Sequence, residues 1–230
     1  METGNQYDKW HTIHKVEDDI SVSWYQFVIN SLQHTSDIKQ KRVLEIGCGR
    51  GGFSNYLANL PNGPHQIVAS DFSASALAIA SEKYAHSKIF WKKEDIMNMS
   101  FESNSFDTVI SCETIEHVPN PSKALHELYR VLKPGGRLFL TCPNYFNLFG
   151  IWCLYRWVIG KPFTEGGQPY VNYILMPLVY FWIKGSGFKV EKFRSTEIII
   201  PARVPRHFYF TGVPWILKIL GSRTFYILTK

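Results

Sequence analysis

Eight consecutive residues, Glu45-Ile46-Gly47-Cys48-Gly49-Arg50-Gly51-Gly52, constrain this chain more than any others. They follow a short apolar run at 42–46 and precede a helical pattern at 53–60 that Pro61 closes. Glycines between a strand and a helix let the backbone turn sharply and approach a ligand with no Cβ in the way. Gly47, Gly49 and Gly52 satisfy the dinucleotide spacing G-x-G-x-x-G, while Gly47, Gly49 and Gly51 satisfy G-x-G-x-G, so the glycines alone leave the ligand open. Glu45 weighs against a dinucleotide. A carboxylate two residues before the first glycine repels a pyrophosphate and favours a cationic ligand.

The pattern around this turn repeats. Strand-like runs at 65–70, 88–91, 106–111 and 137–141 alternate with helical patterns at 73–84 and 121–132, the latter ended by Lys133-Pro134-Gly135-Gly136. Short strands alternating with helices predict right-handed βαβ units and a parallel sheet covered on both faces. Ligands of such sheets sit outside the carboxyl ends of the strands. After Cys142 the alternation stops for an aromatic insert, then resumes at 187–190 and 224–228 with two strands expected to close the sheet as a hairpin in space. One domain over 1–230 is therefore expected. It comprises a leading amphipathic helix (15–34, with Val16, Ile20, Trp24, Phe27 and Val28), a cofactor-binding core (42–142), an apolar lid insert (143–185) and a basic sheet-closing end (186–230).

Charge separates the two ends. The chain carries 25 basic and 19 acidic residues, and the last 80 residues hold 11 of the basic ones against 3 acidic ones. Apolar residues make up 45% of the chain and charged residues 19%, which excludes a disordered chain. The cysteines Cys48, Cys112, Cys142 and Cys153 have neither disulfide-scaffold nor metal-finger spacing. Residues 1–14 lack the apolar run of a secretory signal, so a cytoplasmic setting is expected. The oily stretches 145–160 and 170–183 are shorter than the roughly twenty residues of a bilayer crossing.

Two further acids follow strands. Asp71 ends the second, where a carboxylate accepts from both hydroxyls of a ribose, and Asp95 follows the third, where it can accept from an adenine amino group while Ile96 packs on the ring. Val43-Leu44-Glu45-Ile46-Gly47-Cys48-Gly49-Arg50-Gly51, Ser70-Asp71-Phe72-Ser73, Phe106-Asp107-Thr108-Val109-Ile110 and Leu132-Lys133-Pro134-Gly135-Gly136-Arg137-Leu138 resemble, in order, the motifs of class I S-adenosylmethionine-dependent methyltransferases. The resemblance covers about residues 40–142. It implies an α/β, Rossmann-like, seven-stranded and mostly parallel sheet with one antiparallel strand, helices on both faces, and methyl transfer from S-adenosylmethionine. It assigns Glu45, Gly47, Cys48, Gly49, Gly51, Asp71, Phe72, Asp95, Ile96 and Cys112 to the cofactor, and places the stretch after the fourth strand beside the transferring methyl.

That stretch reads Glu113-Thr114-Ile115-Glu116-His117. On one helical turn Glu113, Glu116 and His117 would share a face. Two roles stay open: His117 as the base that takes a proton from an attacking hydroxyl, or the three side chains around a divalent cation. The segment resembles the Glu-x-x-Glu-His of ubiquinone-biosynthesis O-methyltransferases and of small-RNA 2′-O-methyltransferases. The latter add a histidine after the fifth strand, and residues 143–182 contain none. The leading expectation is a helix-packing or orienting role for this segment, with His117 as its catalytic candidate and metal binding the lesser reading.

The aromatic insert predicts either a lid over the methyl group, and hence a small, largely apolar acceptor, or a small cap whose aromatics only fill a core; oxygen is the expected acceptor atom, ahead of nitrogen and carbon. Arg203, Arg206, His207, Lys218 and Arg223, interleaved with aromatic and aliphatic residues, make the C-terminal end a candidate for peripheral membrane contact. These basic residues are scattered rather than striped, which ranks a nucleic-acid partner, and with it a nucleic-acid methyltransferase, below a small molecule. A nicotinamide oxidoreductase, on the G-x-G-x-x-G spacing, is disfavoured by Glu45. A protein that binds the cofactor without turnover is compatible with the same residues.

Overall fold

A computed structural model describes residues 2–14, 19–196, 198–200, 206–208 and 219–230. Its main sheet has seven strands in the order β3-β2-β1-β4-β5-β9-β6. These are β1 (Arg42–Ile46), β2 (Gln66–Asp71), β3 (Ile89–Lys93), β4 (Phe106–Cys112), β5 (Leu132–Pro143), β6 (Lys189–Thr196) and β9 (Arg223–Thr229). All neighbours from β3 to β5 are parallel, while β9 runs antiparallel to both β5 and β6. This is the expected topology with one reversed strand. A separate two-stranded sheet pairs β7 (Ile198–Ile200) with β8 (Arg206–Phe208).

Each central strand supplies apolar side chains to both faces. Leu44, Val109, Leu138 and Leu140 join one buried cluster, and their neighbours Val43, Ile110 and Phe139 join the other. Alternation across the pleat with both faces covered is what parallel strands require. The helices α3 (Gly52–Ala58), α4 (Ala74–Lys83) and α5 (Pro121–Val131) connect these strands. Ser73 caps α4 by accepting from the Ala76 amide at 3.1 Å, and Asn120 caps α5 by accepting from the Lys123 amide at 3.0 Å, with Pro121 in the first turn.

The N-terminal region differs from the expectation. The single helix expected over 15–34 is instead α2 (Ser23–Ser31), and residues 15–18 of that expectation lie outside the described residues. The physical reason is a local turn: the Asp19 carboxylate accepts from both the amide and the hydroxyl of Ser21, which competes with helix there. Ahead of it stands α1 (Glu2–Ile13), a helix that the apolar pattern of the sequence does not mark. Beyond β5, α6 (Leu148–Val158) and α7 (Met176–Gly185) form the insert. Among the described residues no helix is long and apolar enough to cross a membrane. The expected membrane segment holding Arg203, His207 and Lys218 cannot be placed: 201–205 and 209–218 lie outside the described residues, and only the backbone is described at 206–208.

Candidate active site

The order of strands reverses between β1 and β4, and a cavity of about 370 Å³ opens at their carboxyl ends. Gly47 and Gly49 from the loop after β1, Asp71 and Phe72 after β2, Asp95 and Ile96 after β3, and Cys112 at the end of β4 all line it. The structure thus brings seven of the ten residues assigned to the cofactor onto one wall. Glu45, Cys48 and Gly51 do not line it. They stand behind the loop: Glu45 is 2% exposed, with its carboxylate accepting from the Ser54 hydroxyl. Cys48 is buried, and Gly51 faces Trp91.

The three glycines therefore have different duties. A Cβ on Gly47 would stand 2.1 Å from the Thr114 hydroxyl, and one on Gly51 would stand 2.3 Å from the Trp91 ring. A Cβ on Gly49, at φ +52°, would meet nothing within 4 Å and would project into open space. Gly47 and Gly51 are needed for packing, Gly49 for backbone approach to a ligand. The Gly49 amide donates to Asp71 at 2.8 Å and the Ser73 amide donates to the other carboxylate oxygen at 2.8 Å, which holds Asp71 rigidly with lone pairs left for hydroxyl donors. Asp95 is fixed the same way by the Met97 amide at 2.8 Å.

Among the described residues the lining carries four carboxylates, Asp71, Glu94, Asp95 and Glu113, and no Lys or Arg. Two of them have cationic partners outside the lining. Lys92 lies 2.8 Å from Glu94, and Arg223 lies 3.0 Å from Glu113. Such a wall accepts a sulfonium and an ammonium and repels a pyrophosphate, and this donor set fits S-adenosylmethionine. The charge preference assigned to Glu45 alone is carried by the wall as a whole, with Glu45 buried beneath. Burial, with the nearby Glu45 and Glu113 carboxylates, holds the Cys112 thiol well above the usual range. A thiol that stays protonated is a poor nucleophile and does not compete for a methyl group.

Glu113, Glu116 and His117 do not share a face. Glu113 takes a left-handed conformation at φ +50°, and only Ile115–His117 form a short 3-10 turn. The Glu113 carboxylate accepts from Thr141 at 2.9 Å and meets Arg223, whereas Glu116 is fully buried. Among the described residues no group of His, Cys, Asp and Glu side chains is arranged to hold a metal ion. His117 lines the cavity, with Nδ1 2.8 Å from the Tyr170 carbonyl and Nε2 3.6 Å from Glu116. Because a carbonyl only accepts, Nδ1 carries the hydrogen and Nε2 is the basic nitrogen.

Sequence reasoning missed the N-terminal cover. Tyr7, Trp10 and His11 of α1, with Trp24 and Tyr25 of α2, complete the lining. The i, i+3, i+4 spacing of Tyr7, Trp10 and His11 is the signal that could have found it. Asp8 docks α1 onto the start of α4 by accepting from the Ser75 amide at 3.0 Å and the Ser73 hydroxyl at 2.7 Å. Arg50 donates to the carbonyls of His11 at 2.5 Å and His14 at 2.6 Å, tying the other end of α1 to the glycine loop. The Tyr7 hydroxyl donates to the Tyr170 carbonyl at 2.9 Å, the same oxygen that orients His117. Of the insert 143–185, expected to be the lid, Gln168 alone among the described residues lines the cavity.

A doubly wound sheet with an acidic, aromatic-covered cavity at its switch point defines a domain for a cationic, adenosine-bearing cofactor. Residues 44–140, less than half of the chain, match the model of a family described as methyltransferase domain, and that match together with the acidic cavity supports S-adenosylmethionine as the cofactor of this stretch. Among curated proteins, the ubiquinone biosynthesis O-methyltransferase of Xanthomonas euvesicatoria pv. vesicatoria is 29% identical over 157 residues, 65% of this chain and 63% of that protein. The demethylmenaquinone methyltransferase of Lactiplantibacillus plantarum is 34% identical over 100 residues, 42% of each chain. The match thus spans less than two thirds of the length of these relatives. A solved S-adenosylmethionine-dependent methyltransferase from Methanosarcina mazei superposes with a TM-score of 0.66 at 22% identity, covering 90% of this chain and 97% of that one. Another, from Mesorhizobium loti, gives 0.66 at 13% identity, covering 91% and 99%. At these identities the likeness is one of fold.

Proposed function

We propose that this protein transfers the methyl group of S-adenosylmethionine to a hydroxyl of a small, largely apolar acceptor. The observation that carries the proposal is a cavity wall with four carboxylates and, among the described residues, no Lys or Arg, met on its open side by His117 and a set of aromatic rings. The cofactor, when bound, supplies a methyl group already activated on a sulfonium, so the chain's main task is to hold the acceptor in line with it. Tyr7, Trp10, Trp24 and Tyr25 exclude water and offer flat apolar surface to the acceptor. With the cofactor bound, His117 Nε2 would take the proton that the acceptor hydroxyl gives up when its oxygen receives the methyl group from the sulfonium. Buried Glu116 stabilises the imidazolium so formed, and the Tyr170 carbonyl holds the ring in place. The names of the relatives, in ubiquinone biosynthesis and demethylmenaquinone methylation, support an aromatic acceptor of this kind.

The test is transfer of labelled methyl to a panel of phenols, quinols and aromatic amines. His117→Ala is expected to lower kcat by about 10²–10⁴-fold while leaving S-adenosylhomocysteine affinity near that of the wild type. Full activity in this variant, or label appearing only on nitrogen or carbon acceptors, overturns the assignment.

A further inference from the structure

The helix α6 reverses the usual plan of a surface helix. Phe149, Gly150 and Cys153 face the protein, packed with Tyr145. At about 100° per residue, Leu148, Ile151, Leu154, Tyr155 and Val158 fan over the opposite half, each 56–69% exposed, while Trp157, on the side of Cys153 but in the helix's last turn, is 62% exposed. Phe146 before the helix and Ile159 after it are 45% exposed and extend the face at both ends. Arg156, the helix's one charged residue, folds back: its guanidinium lies 5.4 Å from the Trp152 ring, and its Nε donates to the Lys161 carbonyl at 2.8 Å. The outward half therefore presents hydrocarbon and the Tyr155 ring to solvent, with Trp157 exposed at the helix's end. A helix apolar around its whole circumference belongs in a core or against lipid, and contiguous exposed apolar surface of this kind marks an interaction site.

Charge and length identify the occupant. Residues 143–164 contain Arg156 and Lys161 and no Asp or Glu, within a last 80 residues that hold 11 basic and 3 acidic side chains. A second copy seated on this face would bring like charges together with no acid in the segment to pair them, whereas an anionic surface complements them. Eleven residues extend only about 16 Å, roughly half of a hydrocarbon core, so the helix suits the plane of the interface and not a crossing. Tyr155 and Trp157 have the amphipathic rings that favour the headgroup level. We infer that α6 docks this protein on an anionic phospholipid bilayer, with Ile151, Leu154 and Val158 sunk into the acyl boundary and Tyr155 at the headgroup level. The inference does not rest on the proposed reaction.

Flotation of the full chain with vesicles tests it. The wild type should float with vesicles of phosphatidylglycerol and phosphatidylcholine in equal parts and much less with phosphatidylcholine alone. Ile151→Ser with Val158→Ser should lower partitioning at least about tenfold with an unchanged thermal midpoint, because both side chains are exposed. Lys161→Glu should weaken binding to the anionic vesicles only. The inference is overturned if the wild type stays unbound with both vesicles, or if the double variant floats as the wild type does. A concentration-dependent dimer that the double variant abolishes, with no flotation, overturns it in favour of a second copy.

Discussion

At the scale of single residues, the glycine loop separates stability from binding. Gly47 cannot gain a side chain without displacing Thr114, so Gly47→Ala is expected to cost about 1–3 kcal/mol of stability, read as a lower urea midpoint. Gly49 has open space around it at φ +52°, a left-handed conformation that Asn tolerates, so Gly49→Asn should fold with a smaller loss yet reduce S-adenosylhomocysteine affinity, because the new side chain occupies the ligand's side of the loop. A calorimetric titration and a urea melt on both variants check this; equal effects of both on stability would contradict the division. The sequence located these glycines and the acids Asp71 and Asp95 because chain order places them just after strands. It did not reveal that Glu45 lies behind the wall, since a residue near a strand's end points to either face according to a register that sequence spacing leaves open.

At the scale of elements, α1 covers the cavity and is held there by the polar contacts of Asp8 and Arg50. Burial raises the Asp8 carboxyl's pKa, but hydrogen bonds from Ser75 and Ser73 more than offset this and hold it below the usual carboxylate range. A depressed folded-state pKa contributes stability that is present above the unfolded value of about 3.9 and is lost as pH falls through the folded value. Docking of α1 should therefore loosen on acidification below about pH 4, seen as faster amide exchange in residues 2–13 relative to β1, and Asp8→Asn should weaken this pH dependence. Arg50→Ala, which frees the carbonyls of His11 and His14, should loosen α1 at neutral pH and lower cofactor affinity about tenfold. The parallel strands were legible because alternation of strand and helix is written in local pattern. The cover was not, because what α1 touches is decided by side chains of α4 and the loop, far along the chain.

At the scale of the whole molecule, the reversed strand β9 joins the cofactor half to the insert half. Arg137 of β5 anchors this junction, 2.5 Å from the buried Asp37 carboxylate before β1 and 3.0 Å from Glu191 on β6. Arg137→Ala leaves Asp37 buried without that partner and is expected to cost about 3–5 kcal/mol, measured by urea unfolding; a change below about 1 kcal/mol would show the pair to behave as a surface one. Arg223 ties β9 to the site itself, meeting Glu113 at 3.0 Å and lying 4.3 Å from the Trp24 ring. The reaction depends on the charge of the wall that these strands assemble, and equilibrium binding tests that charge most directly. Calorimetry should find S-adenosylmethionine and S-adenosylhomocysteine taken up one per chain, NADH taken up weakly or not at all, and Asp71→Ala about tenfold or more weaker for both adenosyl ligands. Tight binding of NADH with none of either adenosyl ligand would contradict the account.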